Sequence, residues 1–297
     1  MTQVQPEDVE CSLRYLKPLD IYKHIRPYGI GYKADEKFPT NNLVFQDGPK
    51  ETIRDVRAFP PGHFWLDRQG FSVLKHDFKA DQAEESSIEK PGGYLDELRE
   101  TIHEELARQG LKAEEIKILN WVHRTARETD SFNHPITGNH IKGLAPDVYI
   151  HNDCDFAGAE KRIRATFGDK TDEILASKRV LIMGLWKPIN HPVEDCNLTI
   201  CDGTTVDHDI CIHGDFYIHP EYTAHTLFPG PSEKQQWYYV SNQDVDELLF
   251  FKLHDTDETC KARFTPHGAF WRKDPAECKV PRESIEVRAI IVLDKRV

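Results

Sequence analysis

Pro281-Arg282-Glu283-Ser284-Ile285-Glu286-Val287-Arg288-Ala289-Ile290-Ile291-Val292-Leu293 is the stretch on which the fold turns. Successive side chains of a strand point to opposite faces. Ile285, Val287, Ala289 and Ile291 therefore share one face, and Arg282, Ser284, Glu286 and Arg288 share the other. An arginine and a serine two positions apart on one face suit a single carboxylate, the guanidinium by a charge-assisted fork and the hydroxyl by a further hydrogen bond. Just upstream runs Thr265-Pro266-His267-Gly268-Ala269-Phe270, in which His267 is a neutral-imidazole candidate for a metal.

Such a histidine needs partners, and Val148-Tyr149-Ile150-His151-Asn152-Asp153 supplies them. Period-two geometry sets His151 and Asp153 side by side at the end of a short apolar strand and turns Asn152 away. Two imidazoles and one carboxylate on one face of a metal leave three positions open, the facial triad of non-heme Fe(II) oxygenases. With 15 His and 50 Asp plus Glu, His-x-acid pairs also arise by chance, and His213-Gly214-Asp215 is a rival pair for His267. The apolar strand leading into His151 favours the first assignment. Arg282 and Ser284 would then hold the far carboxylate of 2-oxoglutarate.

These segments also carry a resemblance. His151-Asn152-Asp153, Leu185-Trp186-Lys187-Pro188-Ile189, Trp237-Tyr238-Tyr239, Asp246-Glu247-Leu248-Leu249-Phe250-Phe251-Lys252, Thr265 to Phe270 and Pro281 to Arg288 occur in the order seen in one group. Over roughly residues 50 to 293 the chain resembles the asaB-type hydroxylase/desaturase family of fungal secondary metabolism, which includes gibberellin-desaturase-like proteins and a bacterial relative in cephamycin methoxylation. The resemblance implies a double-stranded β-helix (jelly roll, cupin-like), mainly β with flanking helices. It also implies Fe(II) as cofactor, 2-oxoglutarate as cosubstrate, and oxidation of a natural product or its amino-acid-like precursor. Gly184 and Lys187 depart from the family pattern, which is closer to Asn-x-Trp-Arg. Lys187 is a candidate anion-binding residue, although a lysine is a point charge and not a planar fork.

At 297 residues the chain suits one large domain or two modest ones. A formal net charge of -12 argues against a nucleic-acid groove or an anionic-membrane surface, both of which demand a basic footprint. Seven cysteines without CxxC spacing speak against a zinc ribbon or a secreted disulfide framework and read as reduced thiols of a cytoplasmic protein. No signal pattern opens the chain, and no apolar run approaches a membrane span. The expected partners are a small-molecule substrate and dioxygen, and the oligomeric state, homodimer included, stays open.

In chain order, residues 1–50 read as an arm wrapped over a domain of residues 51–297. Gly92-Gly93 releases a helix in which Tyr94, Leu98, Ile102 and Leu106 recur at spacing four, with Gly110 as its stop. It should pack on the outside of a sheet. Ile116 to Val122 reads as a strand feeding Arg124 and Arg127, which are candidates for an anionic substrate. Asp130 to Gly143, with His134 and His140, reads as a loop at the substrate entrance. Helical patterning over Ala157 to Phe167 and Thr171 to Ser177 is followed by a doubly covered strand from Arg179 to Trp186. Short strands are expected at Leu198 to Cys201, Ile210 to His213, Asp215 to Ile218, Trp237 to Val240 and Leu248 to Leu253. Tyr239 is a candidate to reach the cosubstrate.

Two other classes compete. A cupin-type hydrolase or isomerase would use the same ligands for Zn(II) or Mn(II) to activate water, but has no need of a dicarboxylate clamp. An inactive barrel serving as an accessory binding subunit of a biosynthetic complex would not need intact ligands.

Overall fold

The computed structural model describes residues 5–32, 39–77, 85–127, 140–219, 221–274 and 277–295. Fourteen strands form among these residues: β1 Val9–Leu16, β2 Tyr28–Ile30, β3 Phe45–Asp55, β4 Phe71–Lys75, β5 Ala113–Thr125, β6 His140–Leu144 and β7 Lys178–Pro188 in the first part. β8 Cys196–Cys201, β9 Ile212–His219, β10 Tyr222–Phe228, β11 Trp237–Tyr239, β12 Glu247–Asp255, β13 His267–Trp271 and β14 Glu283–Asp294 follow. The helices are α1 Glu85–Ile88, α2 Tyr94–Arg108, α3 Phe156–Phe167 and α4 Thr171–Ser177.

The strand expected from Pro281 to Leu293 is β14, and it is central. It pairs antiparallel with β7 on one side and β5 on the other, in a six-stranded sheet of order β4-β12-β7-β14-β5-β6. Its apolar face is the one read from alternation: Ile285, Val287, Ala289 and Ile291 join Leu181, Met183, Leu185, Leu248 and Phe250 against Tyr94, Leu98, Ile102 and Leu106 of α2. All four of these helix residues are completely buried. That layer lies on the outside of the sheet, as the spacing predicts, and Gly110 adopts a positive φ of 73° beyond the helix end.

The opposite face of this sheet packs on a second, five-stranded one of order β1-β3-β11-β8-β13. Val180, Ile182, Trp186, Leu249, Phe251 and Ile290 meet Leu198, Ile200, Tyr238 and Val240 in the core between the two. A third sheet, β10-β9-β2, stands beside them. Two sheets face to face with helices outside is the jelly roll expected from many short strands and turns.

Several details differ from the sequence reading. The first fifty residues contribute two strands of the five-stranded sheet, so a boundary at residue 50 falls inside β3. Leu13 and Tyr15 are buried there against Ile53, Trp237 and Tyr239, and Leu16 is buried as well. Ile210 lies in a 3-10 turn, and the two expected strands after it merge into β9. Residues 130–139 of the expected entrance loop lie outside the described residues; from His140 the chain pairs parallel with β5.

Candidate metal centre

His151 and His267 are brought together by backbone pairing. His151 N–H donates to the His267 carbonyl at 3.0 Å and His267 N–H to the His151 carbonyl at 2.9 Å, which sets both imidazoles on one face with ring centroids 4.7 Å apart. The apolar run before His151 does not extend into a strand, because His151 bridges to β13 while Asn152 bridges to Leu227 of β10. A ladder that changes partner at each residue cannot propagate. Asn152 does turn away, its amide donating to the carbonyls of Cys154 and Leu253.

Each imidazole is oriented by its own chain. Nδ1 of His151 lies 3.0 Å from the Tyr149 carbonyl, and Nδ1 of His267 lies 3.0 Å from the Thr265 carbonyl. A carbonyl only accepts, so both Nδ1 atoms carry the proton and both Nε2 atoms present a lone pair. Burial, with His151 alongside, lowers His267 to about 4, which keeps it neutral and able to ligate metal at physiological pH. Asp153 completes the set: ligand atoms of His151, Asp153 and His267 all lie within 4.8 Å of one another, and Asp153 Oδ2 is 3.8 Å from His267 Nε2.

The rival pair is spent elsewhere. His213 Nδ1 contacts Asp155 and His225 Nδ1 contacts Asp215, each at 2.8 Å. The other such cluster among the described residues, Asp67, Asp255 and Cys260, already encloses a cation of the chain itself. Lys252 Nζ sits 3.2 Å from Asp67, 2.6 Å from Asp255 and 3.3 Å from Cys260 Sγ, with Arg179 across both carboxylates.

Sequence reasoning placed Arg288 on the correct face but gave it no role. In the fold its Nε and Nη2 donate to Asp153 Oδ2 and Oδ1 at 3.0 and 2.8 Å, and Nη2 lies 2.9 Å from Glu286 Oε1. Burial alone would raise the Asp153 carboxyl, but the guanidinium beside it wins and holds it below the ordinary carboxylate range. Glu286 is pushed the other way by burial.

A narrow cavity runs from the imidazoles to Arg282, lined on the way by Trp186, Phe251, Ala269, Glu286 and the Arg124–Asp147 ion pair. Arg282 is 1% exposed. Its guanidinium sits over the Trp186 ring at 5.3 Å and donates from Nη1 to the Cys196 carbonyl at 3.0 Å. Among the described residues its Nε finds no partner, no carboxylate pairs with its guanidinium, and the equally buried Ser284 Oγ is also unpartnered. Burying such groups without partners is costly, so the pair is complementary to an anion with good acceptors. Arg127 is exposed at the surface, whereas Arg124 lines the cavity.

Two sequence candidates fall on the wrong side of their sheets. Lys187 follows Trp186 on β7, so when Trp186 faces the cavity Lys187 must face α2. There its buried Nζ meets the His76 carbonyl at 3.1 Å and His76 Nδ1 at 3.4 Å. Tyr239 likewise faces outward with Trp237 and Phe270, its hydroxyl donating to the Glu7 carbonyl, while Tyr238 takes the inner face. Neither candidate lines the cavity.

Comparison with known proteins agrees with this architecture. Hydroxylase/desaturase efuI of Hormonema carpetanum is 26% identical over 307 residues, covering 97% of this chain and 96% of that protein. Hydroxylase/desaturase CTB9 of Cercospora beticola is 24% identical over 242 residues, covering 77% and 72% respectively. The solved structure of an iron and alpha-ketoglutarate-dependent endoperoxidase, NvfI, superposes with a TM-score of 0.78 at 21% identity over 97% of this chain and 99% of that one, which establishes the jelly-roll fold. A family model described as an oxidoreductase/YMDC permease-like domain matches residues 13–292, and the chain belongs to that family.

Proposed function

We infer that this protein is a non-heme Fe(II)/2-oxoglutarate-dependent oxygenase that hydroxylates, desaturates or cyclises a small natural product or its precursor. The donor set fits ferrous iron: two imidazoles oriented through their Nδ1 atoms and one ionised carboxylate, with ligand atoms all within 4.8 Å. His151, Asp153 and His267 would hold it, and iron bound there supplies dioxygen activation coupled to oxidative decarboxylation of the cosubstrate.

The observation that carries the cosubstrate is Arg282 with Ser284. Arg282 lines the metal cavity with its Nε unpartnered and, among the described residues, no carboxylate on its guanidinium, and the unpartnered Ser284 hydroxyl lies two residues on along β14. A dicarboxylate reaching from the metal would give both their missing acceptor, with the guanidinium held in place by the Trp186 ring and the Cys196 carbonyl. Phe251, packed 4.8 Å from the His267 ring, keeps that side of the site dry. The Arg124–Asp147 pair offers hydrogen-bonding groups to the substrate. A hydrolase or isomerase would leave the clamp unexplained. Seven free thiols support a cytoplasmic setting.

Anaerobic titration of the metal-free protein with Fe(II) and then 2-oxoglutarate tests this reading. A visible metal-to-ligand charge-transfer band is expected with wild type and a much weaker one with Arg282→Ala at the same cosubstrate concentration. Absence of a band in wild type, with tight zinc binding instead, would favour hydrolytic chemistry.

A further inference from the structure

Arg288 stands outside the dicarboxylate clamp yet is tied to the metal ligands more closely than Arg282. It lies on the central strand β14, directly opposite Gly184 of β7 and Asn120 of β5. Phe251 of β12 is in register with Gly184, and a Cβ on that glycine would come within 2.5 Å of the Phe251 ring. The missing side chain lets the ring lean across toward His267, so Arg288 emerges beside a packed aromatic wall. From there it forks onto both oxygens of Asp153 and at the same time faces Glu286, two residues away on its own strand face. Glu286 also lies 3.8 Å from Arg124.

We propose that Arg288 is a positioning residue of the metal centre. It holds Asp153 as a one-oxygen donor toward the two imidazoles, and it keeps Glu286, a buried carboxylate of the cavity beside it, from becoming a fourth ligand. The proposal rests on the reading of His151, Asp153 and His267 as the iron site. A carboxylate free on both oxygens can chelate a divalent ion and occupy two positions. A guanidinium in front of both Asp153 oxygens prevents this, because at least one oxygen stays engaged by the fork when the other turns to a metal. Glu286 could otherwise take a position that cosubstrate and dioxygen need. Removing Arg288 also removes a cation that repels the incoming metal. The lost orientation outweighs that gain, as is usual for hydrogen-bond partners of metal ligands.

Co(II) is the probe: the metal-free protein is titrated with it anaerobically, and its d–d absorption is followed for wild type, Arg288→Met and Arg288→Lys, alongside thermal melting. Arg288→Met should bind Co(II) about 10–100-fold more weakly. Its d–d spectrum should differ from that of wild type, as carboxylate oxygens of Asp153 and Glu286 replace water around the cobalt. Arg288→Lys should lie between, since an ammonium restores charge but not the fork. Wild-type affinity and spectrum in Arg288→Met overturn the proposal, and a changed melting temperature with both unchanged makes Arg288 structural only. Should Arg288→Met fail to fold, the same comparison on Arg288→Lys decides. Failure of wild type to bind Co(II) overturns the metal site itself, and the role of Arg288 with it.

Discussion

At His267 four constraints meet: a backbone pair with His151, an Nδ1 contact with the Thr265 carbonyl, the Phe251 ring, and an Nε2 that faces Asp153. Removing the ring loses the last three, but the backbone pairing does not depend on the side chain. His267→Ala should therefore keep the fold while losing metal affinity by about 100-fold or more, beyond what loss of an outer partner costs. Circular dichroism with metal titration checks this, and wild-type metal binding in the variant would refute the ligand assignment. His151, Asp153 and His267 could be nominated in the sequence from the His-x-Asp spacing together with the family resemblance, since spacing alone left His213-Gly214-Asp215 as a rival. Arg288 could not: alternation places it beside Arg282 and Ser284, but its partner Asp153 comes from a distant part of the chain.

Among the elements, β7 shows how far alternation carries. Every residue from Arg179 to Pro188 is buried, so the strand was recognisable, yet nothing in an unbroken apolar run says which face meets the cavity. The answer put Trp186 over Arg282 and left Lys187 under α2 with its ammonium against the His76 carbonyl and ring. Burial lowers Lys187 from 10.5 to about 8. A depressed lysine costs stability in full below pH 8, and the cost fades as pH rises from 8 through 10.5, where the unfolded chain still holds a proton that the folded one has released. Lys187→Met should therefore stabilise the protein by about 1–3 kcal/mol at pH 7, with a smaller gain near pH 10. Urea unfolding at the two pH values measures this; a loss of stability at pH 7 would show that the ammonium is well solvated by its surroundings. Helix α2 was easier to read, because one face is buried and spacing four marks it.

For the molecule as a whole, the N-terminal residues are structural members. β1 closes one edge of the five-stranded sheet, buries Leu13, Tyr15 and Leu16, and its Arg14 carbonyl accepts from Ile150 N–H at 2.8 Å, one residue before the metal ligand His151. Deleting residues 1–17 should cost on the order of 5 kcal/mol for three buried apolar side chains, a fall in melting temperature of roughly 10–20 °C. Metal binding should weaken as well, although no ligand is removed. An unchanged melting temperature after truncation would show that this segment contributes nothing to the stability of the sheet. The signal for β1 was present in Val9, Cys11, Leu13 and Tyr15 alternating with Glu10, Ser12 and Arg14, and composition rich in Pro and Lys around it masked the pattern.

Local order set a good deal of this protein: the alternating faces of β14, the spacing of α2, and the His151-x-Asp153 spacing, each a short-range property of neighbouring residues. Tertiary structure alone decided which face of each buried strand looks inward, why Lys187 and Tyr239 miss the cavity, and that Arg288 closes on Asp153. When both faces of a strand are covered, apolar patterning carries no direction, and a contact between distant segments exists only once the sheets have paired.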